Sequence, residues 1–214
     1  MKTSHESELE RCRILLYGVV QNEAIKGRIS AIYTEERLGT GHELYQTAKT
    51  ASSSQVEEKL QSAAASRIFN ELRDEIHEGY VRMRNAARYF FKDDQSVYEL
   101  LLLDQKIRQR YADWRKDVTH TFKVISQSPA LLDKLTLVGF TAEVVSDYLV
   151  KAASIDQLRL NAEIEDGEAQ EASVKKYETM SDLQAYCADL RECLDLFYHG
   201  SERQVLECVG ITVK

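Results

Sequence analysis

Proline is almost absent from this sequence of 214 residues. Pro129 is the only one, and there are nine glycines. A β-rich chain of this length would need many more Gly and Pro turn signals, so the shortage excludes a sandwich or barrel. Long helices remain, and the wealth of Ala, Leu, Glu, Lys, Arg and Gln favours them. Long hydrophobic runs are lacking as well. Leu100–Leu103 is far too short to cross a membrane, and the N-terminal Met-Lys-Thr-Ser-His-Glu-Ser-Glu has no apolar signal-peptide region. The four cysteines, Cys12, Cys187, Cys193 and Cys208, show no CxxC spacing, so buried free thiols in a reducing compartment are expected. Basic charge is in deficit: 28 Lys and Arg stand against 35 Asp and Glu, a net charge of −7. Nucleic acid or an anionic membrane would be repelled on average. These shortages together point to a soluble, cytoplasmic protein with no membrane and no nucleic-acid partner.

What is present is apolar periodicity, and it occurs twice. Hydrophobic residues make up 43% of the chain, enough for a substantial core. Tyr33-Thr34-Glu35-Glu36 is answered by Phe140-Thr141-Ala142-Glu143, a shift of 107 from Thr34 to Thr141. The same shift carries Arg84 onto Arg191 and Phe90-Phe91 onto Phe197-Tyr198. Thr34 and Thr141 each read as an N-cap, whose hydroxyl accepts an orphaned backbone N–H. Tyr33 with Leu38, and Phe140 with Val145, then form a hydrophobic staple across the helix start. Leu72, Ile76, Tyr80, Met83, Ala87 and Phe90 step by three or four and predict one continuous buried stripe. Shifted by 107 they become Thr179, Leu183, Cys187, Leu190, Leu194 and Phe197, apolar in all but the first. Such a shift across distant elements predicts two copies of one helical unit.

The expected fold is therefore all-α: a helical bundle built from two degenerate tandem helical repeats, forming a single domain over 1–214. The repeat units lie at about 30–103 and 137–210, joined by a long helix over about 97–126. Before them, one helix is expected from Ser4 to Ile32. Ser128-Pro129 should restart a helix with proline at N1, where its missing N–H costs nothing. Gly39, Gly41 and the Ser52–Ser54 cluster predict a fray or kink. The polar stretch Asn161–Glu171 around Gly167 predicts a loop.

Candidate chemistry is sparse. Asp74/His77 and Asp117/His120 have the carboxylate-x-x-His spacing that di-metal helical bundles use. Asp74 lies two residues from both Leu72 and Ile76, about 160° around the helix from each, and His120 stands likewise to Val118 and Phe122. Both pairs are expected on solvated faces. A calcium loop begun at Asn161 would put glycine seventh instead of sixth and alanine, not glutamate, twelfth. Gly39-Thr40-Gly41-His42 lacks the strand–turn–helix setting of a phosphate loop. Lys106, Arg108, Arg110, Arg115 and Lys116 surround Tyr111 and Trp114, with the aromatics on the core stripe and the cations laid along its edge.

No catalytic, metal or cofactor site is expected on these grounds. The leading expectation is a non-enzymatic protein–protein interaction or assembly module, its partner another protein or a second copy of itself. The alternative is a small-molecule or anion binder, or an enzyme, with its site in the cleft between the two repeats. Arg84 and Arg191 are the candidate ligand-binding residues, being equivalent under the shift and each adjoining a stripe residue, Met83 or Leu190.

Overall fold

The computed structural model describes residues 4–212, and among them every regular element is helical. In order these are α1 (His5–Gln21), α2 (Glu23–Ile29), α3 (Glu35–Phe90), α4 (Gln95–Leu100), α5 (Tyr111–Gln127), α6 (Pro129–Thr136), α7 (Ala142–Phe197) and a closing 3₁₀ helix, Gly200–Val209. Among the described residues no helix is long and apolar enough to cross a membrane. The chain divides into two compact units, Met1–Leu60 with Asp166–Lys214 and Gln61–Glu165, so α3 and α7 each contribute to both.

In the first unit, α1, α2 and the 3₁₀ helix close over the opening turns of α3 and the last turns of α7. The core gathers Leu15, Leu16, Val19, Ile25, Ile29, Tyr33, Leu38, Leu183, Leu190 and Leu194. The helix expected over Ser4–Ile32 is two helices. Asn22 has extended backbone, and its side chain accepts from Ile25 N at 3.1 Å, which caps α2 and ends α1. An Asn side chain that can satisfy an orphan N–H competes with continuation of the helix. Gly39 and Gly41 bring no break. A Cβ on Gly41 would collide with the Tyr186 ring, so this glycine serves a close helix–helix approach.

In the second unit, α4, α5 and α6 pack on the later turns of α3 and the early turns of α7. Ile76, Tyr80, Met83, Trp114, Val118, Phe122, Ile125, Leu135, Phe140 and Val145 form the core. The joining helix expected over 97–126 is corrected here: α4 stops at Leu100 and α5 starts at Tyr111. Leu101 and Leu103 are both fully buried. Residues two apart point to opposite sides of a helix, so burying both demands a turn. Leu102, with φ 55°, makes it. Pro129 does open α6 as expected. The predicted loop at 161–171 is likewise corrected, because it is uninterrupted α7. Gly167 costs that helix about 1 kcal/mol relative to alanine. Hydrogen bonds four residues apart offset part of this: Gln157 to Asn161 at 2.9 Å, Arg159 to Glu163 and Gln170 to Asp166, both at 2.8 Å.

Both expected helix starts are capped. Arg37 N donates to Thr34 Oγ1 at 3.3 Å and Val144 N to Thr141 Oγ1 at 3.4 Å, and all four staple residues are buried. Gly79 offers a test of packing against propensity. In an open helix, Gly→Ala would gain about 1 kcal/mol. Here the added methyl would sit inside the Tyr148 ring, which cannot swing away freely because it stacks on Phe122 at 4.8 Å and 9°. Gly79→Ala is therefore expected to lose about 1–3 kcal/mol in urea unfolding, and a stabilised variant would show that the ring yields.

Candidate functional site

The two arginines singled out from the sequence have different surroundings. Arg191 is exposed on the α7 stretch of the first unit, whereas Arg84, on α3 in the second unit, is only 2% exposed. Arg84 lies one turn after Tyr80 and one turn before Arg88, so all three project from one face. The turn that follows α4 folds back over that face. Arg84 Nη1 donates to the Tyr80 hydroxyl at 3.0 Å, and Nη2 donates to the Gln105 carbonyl at 2.6 Å and the Leu103 carbonyl at 3.4 Å. Arg88 donates to the same Leu103 carbonyl through Nε at 3.2 Å and Nη2 at 2.5 Å.

Every acceptor of these two cations is neutral. The salt bridges of this unit lie elsewhere, on Arg67, Arg108, Arg115, Lys151 and Arg159. The buried Nε of Arg84 has no partner among the described residues. Beside the two guanidiniums opens a cleft of about 470 Å³, to whose wall Asp104 and Lys106 also contribute. The pairing of each arginine with a neighbouring acid, the ordinary fate of a half-exposed arginine, does not describe Arg84. Sequence reading missed Arg88, although its spacing of four from Arg84 was the available signal.

The other candidates resolve into structure. Asp74 is exposed, and His77 lies half-buried with its ring 6.4 Å from that of Trp114. His120 is exposed and meets the Leu100 carbonyl at 3.0 Å. Asp117 departs from expectation: it is buried and takes a bidentate pair from Arg108, whose Nε bond is 2.6 Å. The buried stripe of α5 is wide enough to include it beside Trp114 and Thr121. Arg115 pairs with Asp156 at 2.7 Å, and the Tyr111 hydroxyl donates to the same carboxylate at 2.7 Å. Burial first, and that bond second, push the Tyr111 hydroxyl up to about 12. Cys12, Cys187 and Cys193 are buried as expected, but Cys208 is exposed. The neighbouring Cys12 thiol first, and burial second, hold Cys187 well above the usual thiol range, which makes it a poor nucleophile.

A second feature is apolar. On α3 no residue between Gln55 and Ile76 is buried, and on α7 only Ala169 is buried between Ile155 and Met180. In the first unit this leaves Val56, Leu60 and Val174 more than half exposed. In the second unit Ile68, Leu160 and Ile164 are about half exposed, and Ala65, Ile68, Leu158 and Ile164, with Asn161 and Glu165, line a groove of about 200 Å³. Comparison with known proteins finds no matching family, no matching curated relative and no matching solved structure.

Proposed function

We propose that the protein is a non-enzymatic helical assembly module that acts through protein–protein contact, first of all with a second copy of itself. The observation that carries this reading is the α3–α7 groove with its half-exposed Ile68 and Ile164. Isolated surface leucines and isoleucines need no explanation, but apolar side chains clustered along two paired helices do. A helix pair with an apolar outer face is complementary to its own copy across a two-fold axis. The net charge of −7 leaves polyanions as poor general partners.

We further infer that the chain holds two degenerate copies of one element series: a helix of 17 residues, a short helix, a helix of 56 residues and a short closing helix. What supports this is the constant shift of 107 from Glu35 to Ala142 and from Phe90 to Phe197, the two ends of α3 and α7. The copies open with α1 and α5, earlier than the 30 and 137 read from the sequence. Each compact unit combines the opening elements of one copy with the closing elements of the other. That is the composition of a swapped dimer joined into one chain, and it fits a protein whose working contacts are with its own kind.

Sedimentation equilibrium over a range of concentrations tests the assembly reading. The mass should rise above 24.5 kDa with concentration. Ile68→Glu combined with Ile164→Glu should weaken the association at least ~10-fold, since charges replace buried apolar contacts. A mass of 24.5 kDa at every concentration, or association indifferent to both substitutions, would sink the reading.

A further inference from the structure

We propose that the cleft beside Arg84, Arg88 and Lys106 is a binding site for a phosphomonoester dianion. Arg84 is the anchor of the argument. A guanidinium that is 2% exposed has left water, and a buried charge is normally held by an opposite one. Its five N–H donors meet three neutral oxygens, those of Tyr80, Leu103 and Gln105. Its Nε is buried without an acceptor among the described residues. A second guanidinium, Arg88, converges on the same Leu103 carbonyl, so two like charges share one peptide dipole.

Fastening the 103–105 turn does not account for this arrangement. Arg88 alone already bonds the Leu103 carbonyl twice, and a neutral glutamine could serve the Gln105 carbonyl without burying a charge. The missing component is an anion. The cleft of about 470 Å³ is walled by three cations, Arg84, Arg88 and Lys106, and by one anion, Asp104. Their excess of two positive charges matches a dianion better than a carboxylate. Planar guanidiniums and a lysine ammonium together suit a phosphoryl group, which accepts from several donors at once. The amides of Asn85 and Gln109 line the same cleft and can donate to the ester oxygen or to the group it carries. The volume admits more than inorganic phosphate, so a small organic phosphate is the ligand class. This site needs no assembly, and it stands whether or not the chain self-associates.

Titration calorimetry of the full chain with phenyl phosphate, inorganic phosphate and acetate, at matched ionic strength in chloride, tests the proposal. Saturable one-to-one binding of phenyl phosphate is expected, with inorganic phosphate weaker and acetate at least ~10-fold weaker still. Lys106→Gln, at an exposed position, and Arg88→Gln should each weaken phenyl phosphate about 10-fold while leaving the circular dichroism spectrum unchanged. Arg84→Gln should abolish binding, and if that variant does not fold, the two exposed-side variants decide alone. Several outcomes overturn the proposal: no saturable binding of phosphate beyond chloride, acetate binding equal to phosphate, or phosphate affinity unchanged in both Lys106→Gln and Arg88→Gln.

Discussion

Replacing Phe122 with alanine is expected to cost about 3–5 kcal/mol of unfolding free energy. The ring has no solvent exposure and stacks face to face on Tyr148, at 4.8 Å between centroids and 9° between planes. The Tyr80 ring is 6.4 Å away on another helix. An aromatic pair of this kind adds about 0.5–1.5 kcal/mol beyond area burial. The vacated space has little means of collapsing, since it is bounded by side chains from α3, α5 and α7, each held by its own helix. The loss should therefore fall towards the upper end of the range. Phe122→Leu, which keeps most of the volume, should lose less than half as much, and Tyr89→Ala, at a 77% exposed position, should stay within about 0.5 kcal/mol. Urea unfolding monitored by circular dichroism reads all three. A Phe122→Ala loss below about 1 kcal/mol would show that this ring is not a keystone of the second unit's core.

Phe122 also shows what was legible in the sequence and what was not. Its place on the α5 stripe could be read from periodicity, as could those of Ile76, Tyr80, Met83 and Ala87 on α3 and of Leu183, Cys187, Leu190 and Leu194 on α7. All of these are buried. Apolar spacing reports helix faces well because a face is a local property of the chain. Its partner Tyr148 and the glycine that admits that ring, Gly79, could not be read, because their meeting depends on two helices remote in sequence. Breaks were misread in both directions. Gly167 and the polar residues around it looked like a loop, but one glycine on a solvated helix is a cost that neighbouring hydrogen bonds can offset. Leu100–Leu103 looked like helix, but burying both Leu101 and Leu103 required a turn. That turn is the reason the site was only half legible. Arg84 could be suspected from its place beside Met83, yet its burial comes from the carbonyls of Leu103 and Gln105, which only the turn brings over it.

Tyr33 carries the largest expected effect in the first unit, and its two halves can be separated. Tyr33→Ala should lose about 3–5 kcal/mol, as aromatic truncations in a filled core do. The side chain is 1% exposed, Arg37 lies over its face at 4.1 Å, and Tyr186 meets its edge at 5.8 Å. Its hydroxyl donates to Asp189, which Arg37 also contacts at 2.5 Å. A hydrogen bond to a charged acceptor can contribute up to about 3 kcal/mol. Asp189 and Arg37 are each about half exposed, however, and screening holds such contributions near 1 kcal/mol or below. Tyr33→Phe should therefore lose only about 1 kcal/mol, and the ring, not the hydroxyl, should account for most of the alanine effect. The pH dependence follows from the same contacts. Burial, then the bond to Asp189, hold the hydroxyl's pKa well above the usual tyrosine range. The folded state thus favours the neutral phenol. Its contribution is constant below about pH 10, where the unfolded tyrosine is also neutral, and falls as pH rises further. Wild type should lose stability above that pH more steeply than Tyr33→Phe, which has no proton to give up there. Equal losses for Tyr33→Phe and Tyr33→Ala at pH 7 would place the stabilisation in the Asp189 bond and overturn the reading of Tyr33 as a packed staple across the start of α3.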